Sequence, residues 1–231
     1  MRWLQTNLGE TIDRGSDASF IDGASAVSTG ASGVAEALQS FFNAFHGLAA
    51  DPTSSAERQS VFQQAGILVD RLNLTASRLD DLQVNLDASI QSEVATANGI
   101  LETIRSLNDQ ISRAEIGHPG SALDLRDRRQ AQLEELSKFI DIDVTHIPDR
   151  AGQIQVSTGG PGAASVVLVD GILPIREIAF NGFQFTAGGG GEILEPTGGS
   201  LAGTLKVRDG SLQQTRLDLD NLAAQLISSV N

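Results

Sequence analysis

Between Leu79 and Ala114 the hydrophobic positions recur with a short period. Leu79, Leu82, Leu86, Ile90, Val94, Ala97, Leu101, Ile104, Leu107, Ile111 and Ala114 make ten steps over 35 residues, an average of 3.5. A repeat below about 3.6 keeps one narrow stripe facing a partner only when helices supercoil, so the pattern predicts a long coiled-coil-like helix. A long helix inside an ordinary bundle uses the same stripe, and in either reading the stripe is core. Asp80, Asp81, Asn85, Asp87, Gln91, Glu93, Glu102, Arg105, Asp109 and Gln110 lie between these positions and are expected on a solvated face.

A helix from about Gly33 to Ala49 is predicted by Leu38, Phe41, Phe42, Phe45 and Leu48 at spacings of three and four. Asp51-Pro52 ends it, because the residue before a proline avoids helical angles while proline suits the first turn of the next helix. Ser54 and Glu57 form a capping box for that helix, which continues to about Ile116 with Gly66 and Gly99 as weak points. Gly117-His118-Pro119-Gly120 turns the chain back. Ser121 with Asp124 then opens a helix from Ala122 to about Phe139, with Leu125, Leu133 and Leu136 against the long one.

From Ile140 the period becomes two. Ile140 to Ile147, Ile154 to Val156, Val166 to Val169 and Ile178 to Phe185 read as strands, with Asp170-Gly171 and Asn181-Gly182 as hairpin signals and Gly188 to Gly191 as a flexible loop. The helical period returns at Ser200 through Leu201, Leu205, Leu212, Leu219, Leu222, Leu226 and Val230. The expected fold is α+β, mainly α: an elongated antiparallel helical bundle or coiled coil with a small antiparallel β unit inserted before the C-terminal helix. Residues 1–32, rich in Gly, Ser, Ala and Asp, form a flexible or irregular lead-in; 33–139 with 200–231 form the helical rod, and 140–199 the β unit.

The formal net charge is -13, from 16 Lys and Arg against 29 Asp and Glu, so phosphate backbones and anionic lipid are repelled and neither nucleic acid nor a membrane is an expected partner. Without cysteine there is no disulfide, thiolate nucleophile or cysteine-ligated metal. No apolar stretch reaches the roughly 18 residues of a span, and Met1 to Asn7 shows no apolar run after Arg2, so neither a membrane span nor a cleaved signal peptide is expected.

Candidate chemistry is sparse. His46, His118 and His146 lack a second ligand at helical spacing, which leaves them as surface or capping side chains. Asp141 and Asp143 share one strand face, but calcium needs about six to eight oxygens, so the pair reads as solvated. The cluster Asp124 to Arg129 reads as helix support through pairs such as Asp124 with Arg128. Gly188 to Gly191 precedes no Lys-Ser or Lys-Thr, so it is not a phosphate loop. No catalytic residue, metal or cofactor is expected, and the chain reads as a non-enzyme.

Three stretches together resemble one family. The first contains Phe41, Phe42 and Asn43, followed by Asp51-Pro52 and by Arg58-Gln59. The second is Leu125-Arg126-Asp127 with Leu133 and Leu136; the third is Gly199-Ser200-Leu201-Ala202-Gly203 continued to Arg208-Asp209. Their order around a heptad helix and a β segment, over about Val34 to Asn231, is similar to the flagellar hook-associated protein 1 family, whose members join hook to filament. The resemblance implies a structural subunit that is exported through the flagellar channel without a cleaved signal and acts outside the cell. It implies copies of itself, hook protein, the next junction protein and an export chaperone as partners of the full-length protein. The family's amphipathic N-terminal assembly helix and matching C-terminal coiled coil have no counterpart here, so the chain reads as a central rod fragment, monomeric by itself. Another flagellar axial protein, flagellin-like or a neighbouring junction protein, and a secreted helical adhesin are the alternatives.

Overall fold

A computed structural model of the chain describes residues 33–150, 152–159, 165–189 and 191–230; the expected lead-in over 1–32 lies outside them. In chain order the elements are helices α1 (Val34–Ala50), α2 (Ser55–Ala114) and α3 (Leu123–Phe139), then strands β1 (Asp143–His146), β2 (Ile154–Thr158), β3 (Val166–Asp170), β4 (Ile178–Phe180), β5 (Phe185–Ala187) and β6 (Glu192–Leu194). Helix α4 (Gly199–Lys206), a π-helical segment (Val207–Leu212) and α5 (Gln213–Val230) follow without a break.

Local chemistry sets the helix ends. Asp51, before Pro52, leaves the helical region and closes α1 with its N–H on Gly47 O. Ser54 Oγ accepts the Glu57 N–H at 3.2 Å, but the reciprocal half of the capping box is not made, because the Ser54 N–H already donates to Asp51 O. Ser121 does not cap α3 either. Its N-cap position is Ala122, whose N–H donates to the Glu115 carboxylate seven residues upstream.

The chain divides into two compact units, one holding the described residues up to Leu82 with those from Gln214 onward, the other Gln83–Gln213. In the first, Val34, Ala37, Phe41 and Leu68 form a core against which Val61, Leu72, Leu222 and Leu226 pack. The Phe41 and Phe45 rings meet edge to face at 4.9 Å. Leu79 and Leu82 are buried here, and Arg216 pairs with Asp80.

In the second unit Ile90, Val94, Ala97, Leu101 and Ile104 of α2 share a core with Leu133, Leu136 and the inward strand residues; Leu107 and Ile111 are buried too. Leu86 is only half-buried, and Ala114 is exposed because α2 ends there and Glu115 occupies the next inward position. Contacts of Asn108 with Arg129 and Glu115 with Arg126 run in opposite chain directions, so α2 and α3 are antiparallel. Glu93 with Ser200 and Asp87 with Arg208 set α4 and the π segment antiparallel to α2 in the same way.

The β segment forms two three-stranded antiparallel sheets, ordered β1-β2-β3 and β4-β5-β6. Ile140 to Ile147 is not one alternating strand. Ile140 is fully buried at the end of α3 and Ile142 packs on the core, whereas β1, starting at Asp143, is exposed along its length. Asn181-Gly182 is a hairpin turn between β4 and β5, in which Asn181 Oδ1 accepts the N–H groups of Phe183 and Gln184 at 3.0 Å each. Asp170-Gly171 closes no hairpin, since the Gly171 N–H still donates to Ile154 O and the chain passes on to the other sheet. Gly188 and Gly189, at φ +64° and +78°, lie in the turn that connects β5 to β6, within the stretch expected as a loop.

Candidate functional site

Helix α2 carries a second stripe that is polar and runs beside the apolar one. Asn98, Arg105, Asn108, Ser112 and Glu115 recur at steps of seven, three, four and three, so they share a helical face. That face is turned to the sheets and to α3. Asn98 grips the second sheet, its amide donating to Ile178 O and its carbonyl accepting the Ile178 N–H, each at 2.8 Å. Asn108, fully buried, grips the first: its amide donates to Ile154 O at 3.0 Å and Gly171 O at 2.9 Å, and its Oδ1 accepts from Arg129 Nη1 at 2.7 Å. Ser112 Oγ accepts from Gln153 Nε2 at 3.1 Å. Buried polar groups satisfied in this way cost little and admit few alternative registers of sheet on helix.

Glu115 ends the stripe. Its carboxylate is 1% exposed and accepts Arg126 Nε and Nη2, both at 2.7 Å. The hydrogen-bonded guanidinium holds its pKa down at about 2 against the opposing effect of burial. Gly152 lies against this pair at φ +66°, where a Cβ would come within 2.4 Å of Ile111 Cγ2, so only glycine fits; its carbonyl accepts Arg129 Nη1 at 2.6 Å.

A second cluster surrounds the π segment. Arg208, 7% exposed, donates to Asp87, Asp209 and Gly182 O at 2.5 Å each and lies 5.5 Å from the centre of the Phe180 ring. It thereby joins α2, the β4–β5 turn and its own helix. π segments are often found at functional sites. Asp87 was expected in solvent and is instead a partner of this buried cation. Asp141 is also more than a solvated strand residue: its carboxylate accepts the N–H groups of Thr197 and Gly198 and the Thr197 hydroxyl, fastening the entry to α4. The next residue, Gly199, has φ +78°, and a Cβ there would lie 2.4 Å from the Phe139 carbonyl.

Of the motif residues, Phe41 and Leu201 are buried, Leu125 is half-buried, and Phe42, Asn43, Pro52, Gln59 and Asp127 are exposed. Asp51 accepts the Thr53 hydroxyl, and Arg58 donates to the carbonyls of Pro52 and Thr53, so these three pin the α1–α2 turn. Arg126, Arg208 and Asp209 belong to the clusters above; Gly203 lies inside α4 with open space beside it. His46, His118 and His146 are exposed. Asp124 pairs with Arg128 at 2.9 Å as helix support, but Arg129, in the same charge run, is 5% exposed and structural. Sequence reasoning missed Asn98, Asn108 and Arg129. Their signal was the polar heptad beside the apolar one, which reads equally well as a wet face.

In the first unit a groove of about 490 Å³ runs between Phe41, Leu68, Leu72 and the Ala223, Leu226 and Val230 face of α5. No described helix is long and apolar enough to cross a membrane.

Residues 24–231 match the family model described as flagellar hook-associated protein FlgK helical domain. The chain is 31% identical over 209 residues to flagellar hook-associated protein 1 of Salmonella typhimurium, covering 87% of this chain and 37% of that one. It is 28% identical over 242 residues to the protein of the same name from Escherichia coli, covering all of this chain and 43% of the relative. The chain thus spans less than half the length of these curated relatives. Its fold is similar to that in the structure of the flagellar hook junction protein FlgK from Burkholderia pseudomallei, with a TM-score of 0.74 over 86% of this chain and 37% of that one at 22% identity.

Proposed function

The chain belongs to the FlgK helical-domain family of flagellar hook-associated proteins, and from that premise we propose that it is the central structural part of a subunit joining the flagellar hook to the filament. The observation that carries this reading is the family match over residues 24–231, supported by a fold that resembles the Burkholderia pseudomallei hook junction protein. The side-chain chemistry agrees with it. Asn98, Asn108, Arg126 and Arg208 are spent on holding helices to sheets, which suits a part that carries load by packing and performs no catalysis.

In the full-length protein the partners are further copies of the subunit, hook protein, the neighbouring junction protein and an export chaperone. The subunit leaves the cell through the flagellar channel without a cleaved signal and works outside it. Within the chain, residues 33–139 with 200–231 serve as the rod and 140–199 as a β unit set on it. Immunogold labelling of intact flagella with antibodies against this chain tests the proposal. Gold confined to the hook–filament boundary is expected; gold along the filament, or none on flagella, overturns it.

A further inference from the structure

Arg129 is 5% exposed, yet among the described residues its hydrogen-bond partners are two neutral carbonyl oxygens, Asn108 Oδ1 and Gly152 O, both on Nη1. Among the described residues Nε and Nη2 find no acceptor, and neither is sealed away as a buried, unsatisfied atom. The residue lines a pocket of about 310 Å³, together with Arg126, Asp127, Gln130, Val144 and His146. Nε–H and Nη2–H are the two parallel donors on one edge of a guanidinium, the edge that takes both oxygens of a planar anion at once.

We propose that this pocket binds a carboxylate group, held side-on by Nε and Nη2 of Arg129. The hydrogen-bond partners of this buried cation are neutral oxygens and the nearby Glu115 is already paired with Arg126, so an arriving carboxylate supplies Arg129 with a direct counter-charge. Arg126 is the weaker anchor for the anion, because its charge is already matched by Glu115, which takes the paired Nε and Nη2 edge at 2.7 Å. Asp127, the one carboxylate among the described residues lining the pocket, favours a singly charged ligand over a dianion such as phosphate. Burial, and then the nearby Arg126, push the Arg129 pKa down while Glu115 opposes them, and an arginine stays protonated through such shifts.

The group can come from a small free carboxylate or from an Asp or Glu side chain of a second copy, whose surface is rich in them at 29 against 16 Lys and Arg. The second source rests on the packing role proposed above; the first does not. The test follows the Arg129 Nε–H signal of the full chain by ¹⁵N NMR while sodium acetate is added, with sodium chloride at equal ionic strength as control. A saturable shift in the millimolar range with acetate alone is expected, weakened several-fold in Gln130→Glu, which adds a negative charge to the wall. No shift, a shift identical in chloride, or unchanged affinity in that variant overturns the proposal. Without acetate, a signal that moves with protein concentration, and whose concentration dependence is abolished at saturating acetate, assigns the carboxylate to a second copy; one independent of concentration assigns it to a free ligand. A negative titration leaves the flagellar placement intact, since microscopy reads that separately.

Discussion

Acidification should weaken this fold at Glu115 by an amount that follows from its surroundings. The carboxylate is 1% exposed, and its hydrogen bonds to Arg126 lower its pKa from 4.5 to about 2. That difference, at about 1.4 kcal/mol per pH unit, corresponds to about 3 kcal/mol of stability. Because the folded value lies below the unfolded one, the contribution is fully present above pH 4.5 and is lost as the pH falls toward 2. Urea unfolding followed by circular dichroism at several pH values, for the wild type and for Glu115→Gln, isolates it. With 29 acidic side chains titrating over the same range, only the difference between the two proteins is informative. The Gln variant should be less stable by about 3 kcal/mol at pH 7, and the gap should narrow steadily below pH 4.5. Arg126 keeps a side-chain exposure of 30%, so water can solvate it once unpaired, which holds the loss toward the low end of the roughly 3 to 5 kcal/mol seen for breaking fully buried pairs. A gap that stays constant from pH 7 to 3 would refute the assignment of this pH dependence to Glu115.

The same unfolding assay checks five further substitutions at neutral pH. Leu101→Ala, at a fully buried stripe position, should cost about 2 to 5 kcal/mol, and Leu86→Ala at a half-buried one clearly less; equal losses would mean the register along α2 is wrong. Asp87→Ala should cost about 1.5 to 3 kcal/mol by removing one of the two carboxylates on the buried Arg208, whose pair with Asp209 remains, and a change below about 0.5 kcal/mol would return Asp87 to the solvated face. Gly199→Ala should cost at least about 2 kcal/mol, since a Cβ would press on the Phe139 backbone at positive φ. Gly99→Ala, in mid-helix with nothing near the added methyl, should instead stabilise by up to about 1 kcal/mol, and a loss would point to a contact on that face.

The apolar repeat from Leu79 to Ile111, the break at Gly117 to Gly120 and the change to period two after Ile140 determined the order of helices and strands. Each is a local pattern, written by the geometry of one element. Tertiary structure decided which polar residues were structural. Asn98, Asn108 and Asp87 look like any wet helical face until Ile178, Ile154, Gly171 and Arg208, distant in sequence, are brought against them. The division of the strands into two sheets likewise depended on long-range pairing, because Asp170-Gly171 and Asn181-Gly182 are equivalent turn signals and only one of them closes a hairpin. The π segment has no local signature at all. It lies where Arg208 must reach Asp87 and Gly182 together, a requirement set by three separate parts of the chain.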